Sequence, residues 1–486
     1  MTTDRNTELK FKIKDFGPIK EANLGIKPLT VFIGPNNSGK SYASLLFHSL
    51  TDNNIINSIN RQKPSNFFDS EYNQFEELRE YFKKKIFEEI NHYIEKEKSK
   101  EFNHFILSSK LLNEIYYKIL ELFINPRLKS NISSLFGKKL EKLINNNADE
   151  FAINYQNLIF TYFDKSFKNL ISNINLPNFG TTIGGMKIMG FKRGSISINM
   201  MHSFFDDENE YFSEDFFIGL ILNLVLLVIS EGLFKNPSYY MPTGKGDLSN
   251  YLKFFTAQNF TTNNEDFPST LGFLAKDLIN MNYEEKSIFY DIANDLEDEL
   301  FSGKTKVDTS NELPKYSFLR NDELKLNNKH ISSSIAEIRP IILFLKHKLK
   351  EEDILIIEEP ESHLHPRNQR ILIKYLIKCV NNGLRVLITT HSDYIIEQLN
   401  NLIKINKIQN KEDKGFVMKS KGYVEEDLLD SEIVNIYHFK EKESNVFEAH
   451  NIEINDFGIE ESNFQDVIDD LYDETEMVDN LLTRNE

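Results

Sequence analysis

The run Gly34-Pro35-Asn36-Asn37-Ser38-Gly39-Lys40-Ser41 does more than any other feature to limit what this chain can fold into. It satisfies GxxxxGK[ST] in full. It follows LTVFI at 29–33, a buried-strand pattern, and opens the helix-like SYASLLFHSL. Strand, glycine loop and helix in that order form a phosphate cradle. The glycines let the backbone curl so that successive N–H groups point at phosphate oxygens, and the helix N-terminus adds partial positive charge. Lys40 would reach the terminal phosphates and Ser41 would hold Mg²⁺ through its hydroxyl. Such a loop needs a parallel sheet beneath it, and the region just downstream does not provide one.

The matching half lies some three hundred residues on. The apolar run ILII at 354–357 ends in Glu358-Glu359, then Pro360-Glu361. Two carboxylates at a strand end place the first, Glu358, near a metal and the second, Glu359, near the attacking water. RVLITT at 385–390 is a further strand run, and it ends at Thr390-His391-Ser392, where a histidine can sense the γ-phosphate. Between the two runs lies the helix-like NQRILIKYLIKCVN, giving the strand–helix–strand rhythm of a parallel sheet. A third element, Ser332-Ser333-Ser334 with Glu337, reads as a serine-lined helix start. Ser334 and Glu337 have the S-x-x-E spacing of a capping box. The expected ligands are ATP and Mg²⁺. ATP would be bound by Gly34, Pro35, Asn36, Asn37, Ser38, Gly39, Lys40, Ser41, Ser332, Ser333 and Ser334. The metal would be held by Ser41 and Glu358, with Glu359 and His391 as the catalytic pair.

These positions divide the 486 residues. Residues 1–51 supply the first part of the nucleotide-binding domain and 236–410 the second. Residues 52–235 show helical spacing with charged faces, and a Gly-rich stretch at 179–194 is followed by strand-like SISINM. This segment reads as a mainly helical insertion with a small β element. Residues 411–486 hold a hairpin, EIVNIYHFK with NVFEAHNIEI, and an acidic amphipathic helix from about Asn463 to Thr483. Phe464, Val467, Ile468, Leu471 and Tyr472 lie at helical spacing and read as its core-facing side; the alternative is a face that docks a basic partner. The fold class is α/β, with a P-loop domain formed by both chain ends.

The net charge of −17 argues against indiscriminate coating of nucleic acid. A local excess of lysine and arginine within 101–200 leaves a nucleic-acid site open there, with Lys138, Lys139, Lys142, Lys192 and Arg193 as its first residues to test. The alternative for that region is a solvated helical face. The single cysteine, Cys379, fits a reducing cytosol, and the charged N-terminus is no signal peptide. The apolar stretch Phe216 to Ile229 is too short to span a bilayer and reads as a buried core helix. A cytoplasmic protein without a membrane partner is expected.

The strings KIKDFGPIKEA, GPNNSGKS, ISSSIAEIRP, LIIEEPESHLHP and LITTHSDYIIEQL resemble those of ABC-type ATPases related to the recombination, SMC and overcoming-lysogenization-defect proteins. More narrowly, the chain is similar to AAA-family ATPases of bacterial phage-defence operons. The resemblance covers roughly the first 50 residues and 315–410. It implies a head-to-head dimer in which Ser332–Ser334 of one copy close the ATP site of the other, with Ser362-His363-Leu364-His365 at the interface. It also implies that Tyr240-Met241-Pro242-Thr243-Gly244-Lys245 carries a lid segment. Two departures stand out: Ser334 where relatives have glycine, and Glu358 where they have aspartate. Almost 200 residues part Ser41 from Tyr240, and no LSGGQ-like signature is present, which speaks against a transporter motor. The tail lacks the carboxylate pattern of a fused nuclease. The remaining reading is a nucleotide switch acting on a separately encoded effector; the alternative is a DNA-repair or DNA-tethering ATPase.

Overall fold

The computed structural model describes residues 8–51, 237–247, 269–310, 313–455, 458–459 and 472–480. It also describes strands at 104–107 and between 182 and 200, and isolated helical positions between 81 and 136. The chain forms two compact units, one of Met1–His48, Ser134–Leu158 and Ser238–Glu486, the other of Ser49–Ser133 and Ile159–Pro237.

In chain order the first elements are β1 (Leu9–Phe16), β2 (Ile19–Ile26), β3 (Leu29–Ile33) and α1 (Lys40–Thr51). The second unit contains β4 (His104–Leu107), β5 (Thr182–Ile183), β6 (Met186–Lys192) and β7 (Ser195–Met200). These form an antiparallel sheet of order β4-β7-β6-β5. Then follow β8 (Ser238–Met241), α2 (Ser269–Ile279), α3 (Tyr290–Phe301), β9 (Gly303–Asp308), β10 (Lys315–Arg320), β11 (Lys325–Asn327) and α4 (Ser333–His347). The chain continues through β12 (Ile354–Glu358), α5 (Pro366–Asn381), β13 (Arg385–Thr390), α6 (Asp393–Lys407), α7 (Lys411–Lys421), β14 (Val434–Glu443) and β15 (Val446–Ile452).

The first unit is organised by an eight-stranded sheet of order β1-β2-β15-β14-β3-β13-β12-β8. Every residue of LTVFI, ILIIE and RVLITT is buried, as expected where both faces of a parallel sheet are covered. The five strands β14, β3, β13, β12 and β8 run parallel: Leu29 lies opposite both Val386 and Val434, and Ile354 opposite both Arg385 and Ser238. β15 turns back antiparallel on β14 and pairs with β2, which leads to β1. The hairpin of EIVNIYHFK and NVFEAHNIEI is therefore present. What its sequence did not reveal is that β14 also inserts beside β3, inside the parallel core.

Helices α4, α5 and α6 lay apolar faces on the sheet, joining Ile338, Ile342, Leu345, Leu376 and Leu399 to Leu355, Ile357 and Ile388 in one core. β9, β10 and β11 form a separate antiparallel ribbon, whose Phe318 is buried. Among the described residues no helix is long and apolar enough to cross a membrane. The expected core helix at Phe216 to Ile229, and Lys138, Lys139, Lys142 and Arg193, lie outside the described residues. So does most of the acidic C-terminal helix. Its described part, 472–480, is helical and exposed, Tyr472 included, which corrects the expectation that Tyr472 packs on the core. With carboxylates at 473, 474, 476 and 479, that segment keeps more hydration in solvent than it would against an apolar face.

Candidate functional site

Because the strands are parallel, the segments that follow β3, β8, β12 and β13 emerge at one edge of the sheet, where open α/β sheets place their sites. After β3 the backbone enters the left-handed region at Gly34 (φ 143°), Asn37 (φ 61°) and Gly39 (φ 97°). A Cβ on Gly34 would stand 2.7 Å from the Phe439 carbonyl oxygen, and one on Gly39 would stand 2.5 Å from Ile19 Cγ1. Glycine is required at both positions, by conformation and by space. Pro35, Asn36, Asn37 and Ser41 face solvent, whereas Ser38, Gly39 and Lys40 are buried. The α1 N-terminus thus offers its free amides beside an open loop.

The Lys40 ammonium folds back onto the loop. Nζ donates to the Gly34 carbonyl at 2.9 Å, the Pro35 carbonyl at 2.8 Å and Ser38 Oγ at 3.4 Å. Burial lowers its pKa to about 8, against the pull of Glu359, Glu361 and Glu358. Those three carboxylates arrive at the end of β12 and on the turn that follows it.

Glu358 ends β12 and is 6% exposed. Its Oε2 accepts from the Thr243 amide at 3.4 Å, and its Oε1 is buried without a partner. Ser44, one turn after Ser41, meets the Tyr240 hydroxyl at 3.4 Å. Burial, together with the Glu358 carboxylate, holds that phenol well above its ordinary pKa. An orphaned, buried carboxylate oxygen at a strand end suits a hard divalent cation that takes oxygen ligands.

Glu359 lies at φ 41°, a strained conformation for a residue with a side chain, and its amide donates to the Thr389 carbonyl at 2.9 Å. The strain turns its carboxylate toward the next strand. Oε1 is 3.6 Å from His391 Nε2, and Oε2 accepts from Ser362 Oγ at 3.4 Å. Burial, then Lys40, lowers the His391 pKa, opposed by Glu359 and the Gly34 backbone, so the ring is neutral at pH 7. Sequence reasoning assigned Glu361 no task, yet it joins the two turns. Its Oε1 accepts from Thr390 Oγ1 at 2.8 Å and from the His391 amide at 2.7 Å, while Oε2 is buried and unpartnered. The signal was the E-P-E string itself, whose second glutamate has no reason to be acidic in an exposed loop.

Ser332, Ser333 and Ser334 begin α4, but the capping box is not there. The N-cap is Ser332, which accepts from the Ile335 amide. Ser334 Oγ instead donates to the His363 carbonyl at 2.7 Å. Glu337 is drawn off by a stronger partner: the wholly buried Lys245 ammonium, 2.9 Å from Oε1, while Oε2 accepts from the Gly246 amide at 2.8 Å. Lys245, expected in a lid, is thus a buried cation that also reaches the Pro242 carbonyl at 3.3 Å and the Glu358 carbonyl at 3.5 Å. His365 caps α5 by accepting from the Arg367 amide, with Pro366 in the first turn. Ser332 and Ser333 are exposed, and the hydrogen bonds of Ser332 and Ser334 go to the Ile335 amide and the His363 carbonyl, not to the loop 34–41.

A glycine loop at a strand–helix junction, a buried carboxylate at a strand end and a second carboxylate facing a histidine are the groups that a P-loop nucleotide hydrolase needs. The family model described as "AAA ATPase domain" matches residues 241–396. That span contains the serines, Glu358, Glu359 and His391, while the loop 34–41 lies outside it. The chain is an ATP-hydrolysing enzyme that uses Mg²⁺. No curated protein matches. Among solved structures, the chain is similar to an SMC head bound to the C-winged helix domain of ScpA (9% identity, TM-score 0.35, 92% of this chain and 98% of the other covered). It is likewise similar to the SMC head domain from Thermotoga maritima (9% identity, TM-score 0.31, 92% and 99% covered).

Proposed function

We propose that loop 34–41, Glu358, Glu359 and His391 constitute the ATP site, and that ATP drives the chain between open and paired states that control a separate effector protein. One observation carries this reading. Lys40 lies in the field of Glu358, Glu359 and Glu361, and His391 in that of Lys40, Glu359 and the Gly34 backbone. In the proposed division of labour, the loop amides and Lys40 hold the phosphates, and Ser41 and Glu358 hold Mg²⁺. Glu359 orients and deprotonates the attacking water. His391, neutral, donates a hydrogen bond toward the γ-phosphate. The metal supplies charge neutralisation on the phosphate oxygens.

The exposed serines are the reason for pairing. Ser332, Ser333 and Ser334 stand at a helix start, which favours anions, and the hydrogen bonds of Ser332 and Ser334 go to groups other than their own chain's loop. A second copy, head to head, is the partner whose γ-phosphate they would contact. The anti-phage setting rests on the resemblance of the motif strings alone, and the cytoplasmic location on the single, unpaired cysteine, Cys379.

The test is the mass of Glu359→Gln by size-exclusion with light scattering. A dimer, or a higher assembly built from it, is expected with ATP and Mg²⁺ and a monomer without. The dimer should be lost when Ser332, Ser333 and Ser334 are all replaced by leucine. One mass in every condition would overturn the switch. Robust Mg²⁺-dependent DNA cleavage by the chain alone, lost in Lys40→Ala, would overturn the need for a separate effector.

A further inference from the structure

A second candidate binding feature is a partly open cavity of about 30 Å³ between α4 and the turn at Gly246. Leu278 of α2, Tyr316 of β10, Asn328, and Ala336, Arg339 and Leu343 of α4 line it. Leu278, Ile331, Ala336, Pro340 and Leu343 supply the apolar part of its wall, and Tyr316, Asn328 and Arg339 the polar part. Arg339 is 5% exposed, and its Nη1 donates to Asn328 Oδ1 at 2.5 Å. Nε and Nη2, the side-on edge of the guanidinium, are buried with no hydrogen-bond partner. The only stacking contact among the described residues is with the Tyr316 ring, at 5.6 Å. Among the described residues no carboxylate pairs with this guanidinium.

An unpaired buried cation is costly, and arginine does not relieve the cost by losing its proton: burial lowers its pKa only to about 10. The Nε and Nη2 edge presents two parallel N–H groups, the geometry that a carboxylate accepts bidentately. The volume admits a headgroup of that size, and a nucleotide is far too large for it. Apolar walls beside the fork favour a short aliphatic stem on the ligand.

We propose that Arg339 is the anchor of a second binding site, distinct from the ATP site, that takes a carboxylate on a short aliphatic stem. Such a group is either a small carboxylic acid or an acidic side chain or terminal carboxylate of a bound polypeptide. Arg339 lies on the same helix as Ser332–Ser334, and Gly246, which also lines the cavity, is held by Glu337. An occupant therefore rests against the helix that begins with the serines. The site itself is independent of the dimer reading.

The experiment is a thermal-shift titration of the full chain with sodium propionate, at constant ionic strength against chloride, with propionamide as the neutral control. Propionate should raise the melting temperature by several degrees at saturation, and propionamide should not. Arg339→Met should abolish the shift. Because that variant could fail to fold, Asn328→Asp is run beside it: an internal carboxylate at the guanidinium leaves no call for an external one, so the shift should again vanish. Two blocked peptides, one ending in a free carboxylate and one bearing a glutamate side chain, identify the source. If either binds at least tenfold tighter than propionate, the occupant is a polypeptide; otherwise it is a small acid, and both results support the site. Equal shifts in all three proteins, no propionate shift in the parent, or a response to inorganic phosphate alone would overturn it. ATP binding is expected unchanged in both variants, so a failure here leaves the ATP-site reading standing.

Discussion

Replacing Glu337 with leucine leaves the Lys245 ammonium, wholly buried, with the carbonyls of Pro242 and Glu358 at 3.3 and 3.5 Å as its partners among the described residues. Breaking a buried pair from one side costs about 3–5 kcal/mol, because an uncompensated charge stays behind. Glu337 also accepts from the Gly246 amide, and an orphaned buried amide adds roughly 1–3 kcal/mol. Glu337→Leu should therefore cost about 4–8 kcal/mol. Lys245→Met should cost about 3–5 kcal/mol, since it strands the carboxylate instead. In the double variant neither charge remains, and only the Gly246 amide lacks its acceptor. Its cost should fall to about 1–3 kcal/mol, well below the sum of the single changes. The assay is urea unfolding read by hydrogen exchange in peptides covering α4 and β12, which isolates the transition of this unit. With a slope of about 3 kcal/mol per molar, Glu337→Leu should lower the midpoint by more than about 1 M, and Lys245→Met should restore most of that loss. Additive costs in the double variant would refute the pair as the stabilising unit.

Glu359→Gln should keep ATP binding and lower turnover by about 10²–10⁴-fold, measured as phosphate release; parental turnover would dismiss Glu359 as the water-activating group. The Lys40 ammonium titrates at about 8 in the free chain, below its unfolded value, so folding there binds fewer protons than the unfolded chain. Stability should consequently rise as pH climbs from about 8 toward the unfolded lysine value, and Lys40→Met should lose that slope in urea unfolding at stepped pH. Polyphosphate restores the charge, so ATP binding at pH 8.5 should take up a proton, visible in calorimetry across buffers of different ionisation enthalpy. Glu361→Ala removes the acceptor shared by Thr390 and the His391 amide. Turnover should fall at least tenfold with the Michaelis constant for ATP little changed, whereas simple misfolding would reduce both binding and rate.

The parts of the fold that were legible in the sequence are those coded over short range. LTVFI, ILII and RVLITT are short runs rich in apolar and β-branched residues, the pattern of a doubly covered parallel strand. The loop between them and their helices is specified by glycine and lysine at fixed spacing. The placing of β14 beside β3 was not legible, because IVNIYHF pairs as readily in a hairpin as in a sheet interior. β9, β10 and β11 escaped notice because GKTKVD and KYSFLR alternate charge with few apolar residues. The partner of Glu337 could not be read either. Helix spacing offered it Ser334, one turn back, whereas the structure gives it an ammonium ninety-two residues earlier. Local pattern reports a residue's neighbours along the chain, and buried charges choose theirs across it.

The order of the sheet sets the timetable of its own assembly. β3, which carries the phosphate loop, has β13 and β14 as its two neighbours, and both are made more than 350 residues later. At ribosomal rates of about 5–20 residues per second, LTVFI emerges roughly 20–70 s before either neighbour exists. Throughout that interval the nascent chain holds an apolar strand with two unpaired edges. The ATP site is among the last parts of the molecule to close, and a nascent chain halted before β13 has nothing on which to build it.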